Sequence, residues 1–380
     1  MPPRKKKAVV ASKMSATELL NAVNTKLGTN AVFMGSDNRL TVEYFSTGYL
    51  PFDILLQGGV PRGRMIEIYG DWSVLKSVIC LSTAAQVQAQ GGTVALLDTE
   101  HAYEPQWAAK LGVDTSELIV WPPRDDDEEH TGEEAIDVAQ VLCANKVDLV
   151  IFDSVAAATP QAETTKRLKG ESVQPARLAQ LMSTGLRKLT MTNDKTAFIF
   201  TNQTRLNIGV TFGNKESRPG GKALGYYASM IMDVKKVGKT TRDVKTYDGK
   251  KWITVKEQTG QKYRAQMQKS KLSKPFKEIW FTWDLETGQI DMPEFLIAQS
   301  LELGLIKVSG NTWSGLGVKA VGREKFKNAF AASADALLKA EVEIREHHGL
   351  STDHLITKTP KAVKRTAKSA PVKKGLKKRV

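Results

Sequence analysis

Cysteine is nearly missing from this chain of 380 residues: there are two, Cys80 and Cys143, and neither has a Cys or His close by in sequence. That excludes a disulfide scaffold and the usual spacing of a structural zinc site, and predicts two buried thiols in a reducing compartment. No apolar run approaches the roughly 20 residues that cross a bilayer, so no membrane partner is expected. The start, MPPRKKKAVVASK, lacks the long apolar segment and small-residue cleavage site of a secretory signal. Acidic residues are missing from both ends. Residues 1–13 carry five basic side chains and residues 356–380 carry ten, without one Asp or Glu between them. The whole chain has 55 basic and 41 acidic residues, a net charge of +14, so these fifteen account for the excess and leave the body near −1.

The C-terminal arm, ITKTPKAVKRTAKSAPVKKGLKKRV, has no apolar periodicity and cannot repay the entropy of folding, so residues 351–380 are expected to be a disordered basic tail, as are residues 1–13 a basic arm. A polyanion, DNA or RNA, is the natural partner of such a tail, because each phosphate neutralised releases counterions. Simple solubilisation is the plainer alternative.

What is present between the arms is an α/β pattern. Residues 16–27, ATELLNAVNTKL, put Leu19, Leu20, Val23 and Leu27 on one helical face behind Ser15 as N-cap. This helix either packs on its own domain or docks on another molecule. From residue 63 onward short apolar runs alternate with helical stretches: GRMIEIYG, a helix near 76–90, TVALLDTE, a helix near 104–111, ELIVW, a helix near 133–145, VDLVIFDS, a helix near 176–192, and TAFIFTNQ. That alternation predicts a mostly parallel sheet covered by helices on both faces, with ligands at the carboxyl ends of its strands. The loop Arg124-Asp-Asp-Asp-Glu-Glu-His130 reads as a solvated acidic surface.

The first strand exit reads Gly70, Asp71, Trp72, Ser73, Val74, Leu75, Lys76, Ser77, followed by Val78. A phosphate-binding loop has G-x-x-x-x-G-K-[ST] between a strand and a helix, and this stretch keeps the first Gly, the Lys and the Ser. Leu75 stands where the second glycine belongs. If that position needs positive φ, a Cβ there costs about 1–2 kcal/mol. Alone the motif is weak, but its neighbours strengthen it. VDLVIFDS ends in Asp153, suited to a nucleotide-bound Mg²⁺, and TVALLDTE ends in Glu100, suited to orienting a water. Each carboxylate alone is an ordinary solvated strand end; such exits on consecutive strands are not expected by chance.

Six stretches then carry a resemblance: STGYLPFDILLQGGVPRGRMIEIYG (46–70), LLDTEHAYEPQWAAKLGVD (96–114), VDLVIFDSVAAATPQAE (147–163), IFTNQTRLNIGVTFGN (199–214), GGKALGYYAS (220–229) and KSKLSKPFKE (269–278). In these, and more loosely over about 15–345, the chain resembles bacterial and phage RecA-type recombinases. The resemblance implies a RecA-like P-loop ATPase core over 46–287, a small N-terminal oligomerisation element over 14–45 and a small α/β C-terminal lobe over 288–350. It also implies ATP and Mg²⁺ as ligands. Lys76 would contact the β- and γ-phosphates, Ser77 with Asp153 would hold the metal, and Glu100 would polarise the attacking water. Trp107 lies where the family places an aromatic beside adenine, although core packing is an equal reading. Gln203 takes the place of the side chain that senses the γ-phosphate. Lys269 and Lys271 match a pair that reaches the ATP of the neighbouring protomer; an exposed lysine pair is the plainer reading.

DNA contact is expected in two loops, about 165–177 and 205–223. They bring Arg177, Arg205, Gly209, Gly220, Gly221 and Lys222 to follow phosphates, and Ile208 and Phe212 as apolar wedges between bases. Phe212 could equally anchor its loop to the body. The resemblance implies a helical homo-oligomer on single-stranded DNA that pairs it with homologous duplex DNA, in the cytoplasm of a bacterium or a phage-infected host. Two departures stand out besides the basic tail, where the familiar proteins end acidic: Leu75, and Gly225 where an interface lysine is common. They leave open a filament-forming DNA coat whose nucleotide site does not hydrolyse. A helicase-type motor is disfavoured by the GGKALGYYAS and KSKLSKPFKE stretches.

Overall fold

The computed structural model describes residues 14–122, 124, 129–164, 176–206, 216–247 and 249–352. The alternation in sequence becomes a nine-stranded sheet. Its elements in chain order are α1 (Ala16–Leu27), α2 (Leu50–Leu56), β1 (Met65–Gly70), α3 (Lys76–Ala89), β2 (Val94–Asp98), α4 (Pro105–Lys110), β3 (Leu118–Trp121), α5 (Gly132–Ala144), β4 (Leu149–Asp153), α6 (Ala176–Thr192), β5 (Ala197–Gln203), α7 (Ala223–Tyr227), β6 (Met230–Tyr247), β7 (Trp252–Ser270), β8 (Glu278–Asp284) and β9 (Gln289–Ile290). The strand order is β9-β8-β7-β6-β1-β5-β4-β2-β3. From β6 to β3 neighbouring strands run parallel, and β7, β8 and β9 add antiparallel pairings at one side.

Continuous apolar runs form these strands because both sheet faces are buried, and successive side chains enter different cores. Leu96, Ile151 and Ile199 point into the layer under α3. Their neighbours Ala95 and Leu97, Val150 and Phe152, and Phe198 and Phe200 point into the layer under α5 and α6. Truncating a fully buried phenylalanine such as Phe152 or Phe200 would cost about 3–5 kcal/mol. Cys80 and Cys143 are both buried and free, as their isolation in sequence implies, and burial pushes the Cys80 thiol up.

The C-terminal lobe contains α8 (Met292–Glu302), an antiparallel sheet of β10 (Ile306–Ser309), β11 (Thr312–Gly315) and β12 (Val318–Val321), then α9 (Arg323–Ala332) and α10 (Ala334–His347). The last two helices follow each other with a single residue between them. Ser333 leaves helical geometry and its hydroxyl accepts from Ala336 N at 3.2 Å, an N-cap that starts a new helix. The lobe shares its core with the sheet: Phe326, Phe330 and Ile344 belong to the same buried cluster as Ile68 and Phe281. Buried Asp53 of α2 faces Arg345 of α10 at 3.9 Å.

At the other end, Ser15 caps α1 as expected, with Glu18 closing a reciprocal capping box. α1 has no buried residue; Leu19 and Leu27 are 55% and 59% exposed. Leu20 and Val23 are half-buried, so the described residues cover its apolar face only in part. Among these no helix is long and apolar enough to cross a membrane.

Candidate nucleotide-binding site

The parallel strands deliver their C-terminal ends to one edge, where the loop after β1 meets the ends of β2, β4 and β5. Residues Asp71 to Val78, Glu100, Asp153 and Gln203 line one cleft of about 510 Å³, together with Tyr263, Trp283 and Leu285. Gly70 must be glycine: a Cβ there would sit 2.2 Å from Val234 O of β6. Leu75 has φ +67°, so the missing second glycine does fall on a left-handed position. Its side chain packs against the core under α3, although it also borders the cleft.

Around this loop the charged groups are tied together. Ser77 Oγ donates to Asp153 Oδ2 at 2.7 Å, and Thr201 Oγ1 donates to Asp153 Oδ1 at 2.5 Å. Burial raises the Asp153 carboxyl above the usual value, against the pull of these hydroxyls. Lys76 Nζ donates to Gly70 O and Asp71 O at 3.3 and 2.8 Å. Burial lowers its ammonium, while Asp153, Glu100 and Asp71 work in the opposite direction. Glu100 Oε1 accepts from Gln203 Nε2 at 3.0 Å and from Ser154 Oγ. The β2 exit that carries Glu100 is fixed by Asp98, whose carboxylate accepts from Ala102 N and Tyr103 N. The strand ends thus bring together a cation, a hydroxyl–carboxylate pair and a carboxylate–amide pair.

Three predicted residues stand apart from this cleft. Trp107, 39% exposed, borders a separate recess of about 60 Å³ that shares only Ser77 and Asp153 with it. Lys269 and Lys271 point at α7: Lys269 Nζ donates to Gly225 O (2.6 Å), Tyr226 O (3.2 Å) and Ala228 O (2.8 Å), and Lys271 Nζ to Tyr226 O (3.0 Å). At Gly225 a Cβ would meet nothing within 4 Å, so its departure from lysine leaves open space.

Of the residues expected to face DNA, Ile208, Gly209 and Phe212, with most of both loops, lie outside the described residues. Arg177 opens α6, its Nη1 donating to Ala162 O at 3.2 Å. Arg205 is exposed and pairs with Ser217 across the base of the second loop. Lys222 is exposed before α7. Gly220 is buried with φ +82°, and a Cβ there would lie 2.8 Å from Val155; Gly221 has φ +70° and would meet Ala179 at 2.8 Å. Packing and backbone conformation are reasons for glycine at these two positions.

Sequence reading missed the link from the cleft to the second loop. Glu67, 1% exposed in β1, accepts from Arg218 and from Asn202 Nδ2 (3.0 Å); Asn202 Nδ2 also donates to Pro219 O (3.0 Å), and its Oδ1 accepts from Gln203 N (2.9 Å). Burial raises Glu67, with Arg218 pulling it down. The signal was a glutamate inside the apolar run MIEIYG, which needs a partner.

Residues 14–288 match the family described as RecA N-terminal domain. The chain is 36% identical over 341 residues to Protein RecA of Rhizobium leguminosarum bv. viciae, covering 87% of this chain and 88% of the relative. It is 36% identical over 347 residues to Protein RecA of Clostridium novyi (strain NT), covering 90% and 93%. The crystal structure of the RadB recombinase aligns with 64% of this chain and 97% of its own, with a TM-score of 0.43 and 21% identity. The family match spans the phosphate loop and the strands that carry Glu100, Asp153 and Gln203, and the chain belongs to the RecA family.

Proposed function

We propose that the chain is a DNA-dependent ATPase that assembles as a helical filament on single-stranded DNA and promotes homologous pairing and strand exchange. The observation that carries this reading is the meeting of Lys76, the Ser77–Asp153 pair and the Glu100–Gln203 pair in one cleft. Each fits a part of phosphoryl transfer. Ser77 and Asp153 offer the oxygen donors that suit Mg²⁺ alongside substrate phosphates, and the ion would supply charge neutralisation there. Lys76 brings positive charge to the β- and γ-phosphates of ATP. Glu100 orients the attacking water. Gln203, hydrogen-bonded to Glu100 and joined through Asn202 to the segment after the second loop, responds to the γ-phosphate and moves that loop.

Assembly is supported by two features of the single chain. The apolar face of α1 is only partly covered among the described residues, with Leu19 and Leu27 exposed, and Lys269 and Lys271 are remote from their own cleft, which suits charges supplied to a neighbour's ATP. The test is hydrolysis of ATP with and without single-stranded DNA. Stimulated turnover in the parent chain and its loss in Glu100→Gln are expected, the loss being on the order of 10²-fold or more. Turnover that is absent with and without DNA would overturn the catalytic reading.

A further inference from the structure

β6 pairs with β1 only over Met230–Val234, and β7 with β8 only over Gly260–Gln266. Beyond these points the two strands pair with each other alone as far as Tyr247↔Trp252, so a two-stranded ribbon leaves the sheet. Because β6 runs parallel to β1, the ribbon leaves at the edge that holds the phosphate loop. At about 3.3 Å per residue the part paired with no third strand, Thr241 to Tyr247, reaches about 20 Å. Its root touches that loop twice: Lys236 Nζ lies 3.9 Å from the Trp72 ring centroid, and Tyr263 Oη donates to Ser73 O at 3.2 Å.

The ribbon differs in charge from everything around it. Residues 235–264, ribbon and root together, hold ten Lys and Arg against three Asp and Glu, which is +7 in a body whose total is near −1; the two-stranded part, 241–259, holds five of these cations and all three acids. Along its outer part the register puts Lys245, Tyr247, Trp252 and Lys256 on one face and Arg242 on the other. Trp252 is 70% exposed and Tyr247 56%, their ring centroids 5.7 Å apart at the tip. A bare two-stranded ribbon is marginal in water, and this one exposes aromatic and aliphatic surface that no described residue covers. Its charge selects a polyanion. Its shape selects a duplex, because a two-stranded ribbon fits the major groove; Lys245 and Lys256 lie on the Tyr247–Trp252 face, while Arg242 on the other is paired with Glu257 at 2.8 Å.

We propose that residues 235–264 form an arm that takes duplex DNA, with the lysines neutralising phosphates and the Tyr247–Trp252 tip seated in the groove. The arm rests on the reading of the chain as a DNA-binding filament, and it adds a contact for the second DNA that is separate from the two loops and the tail. Through Trp72 and Ser73 its root would feel the state of the phosphate loop.

The test uses the full chain and its K245A/K250A/K251A/K256A variant. Binding to a labelled duplex oligonucleotide and to oligothymidine of equal length is followed by anisotropy across a salt series. The variant is expected to lower the duplex slope of log K against log salt by up to about 3.6, near 0.9 for each of four phosphates no longer neutralised. Its oligothymidine slope, its oligothymidine-stimulated hydrolysis and its melting temperature should match the parent's. A duplex slope equal in both proteins overturns the arm, as does an equal fall for both polymers, or a change confined to sedimentation, which would make the ribbon a contact between copies. A parent that binds neither polymer overturns the DNA reading as a whole. A parent that binds oligothymidine while duplex binding ignores the substitutions overturns the arm alone. In a second variant, Trp252→Ser, duplex affinity should fall while the slope stays, since no charge is removed.

Discussion

At Leu75 the phosphate loop accepts a conformation that glycine would adopt freely, φ +67°, immediately before the Lys76 that begins α3. The left-handed backbone costs about 1–2 kcal/mol for a residue with a Cβ. Leucine recovers part of this by packing on the core under α3, which glycine would forgo. Leu75→Gly should therefore change folding stability by less than about 1 kcal/mol, the two effects opposing each other. Nucleotide binding is different, because the loop amides must wrap the phosphates, and a Cβ-free residue lets them do so without strain. The expected result is an ATP Kd lower by up to about tenfold in Leu75→Gly, measured by displacement of a fluorescent nucleotide, a factor equivalent to about 1.4 kcal/mol. An unchanged Kd would mean that the leucine imposes nothing on the ligand. Gly70, earlier in the same loop at the end of β1, has no such latitude: the carbonyl of Val234 occupies the space a side chain would need.

At the scale of elements, what was legible in the sequence was whatever local chemistry determines. The strands from Met65 to Gln203 are continuous apolar runs because both faces are buried, and their helices follow at the expected positions. Lys76, Ser77, Glu100, Asp153 and Gln203 sit at strand exits, and the parallel topology alone brings such exits to one edge. The ribbon was hidden because its outer residues are charged and exposed, so no apolar pattern marks them; the Asp248-Gly249 pair between Thr- and Val-rich segments was the available sign. Pairings across long separations were hidden too. Glu67 and Arg218 lie 151 positions apart, and only folding makes them partners. Their bridge fastens the segment after the second loop to β1, so Arg218→Ala would leave a carboxylate in the sheet interior without its cation. It should destabilise the protein by about 3 kcal/mol, read from urea midpoints. Glu67→Gln with Arg218→Ala should recover more than half of that, because the buried charge is gone. A double variant as unstable as Arg218→Ala would show that the arginine acts through its packing over the Tyr69 ring, 4.6 Å from its centroid, and not through the ion pair.

For the molecule as a whole, charge is distributed so that the folded body does not hold the positive excess. Fifteen basic side chains lie in the two arms, outside the described residues, and within the body the ribbon is positive against a negative remainder. A polymer of phosphates would meet cations first at the arms and the ribbon, and only then at the loops on the working edge. The body's remaining charge would oppose close approach elsewhere. If the C-terminal tail neutralises phosphates, truncation after His354 removes ten cations and no acid. Each phosphate released in this way should lower the salt slope by about 0.7 on single-stranded DNA and about 0.9 on duplex, so both polymers should bind the truncated chain more weakly, with both slopes reduced. That pattern differs from the ribbon variant, which should alter the duplex slope alone. The two changes should add when combined, because the sites hold separate phosphates. A truncated chain whose affinity falls without any change in slope would act through something other than counterion release, and one with unaltered affinity and slope would leave those ten charges to solubility.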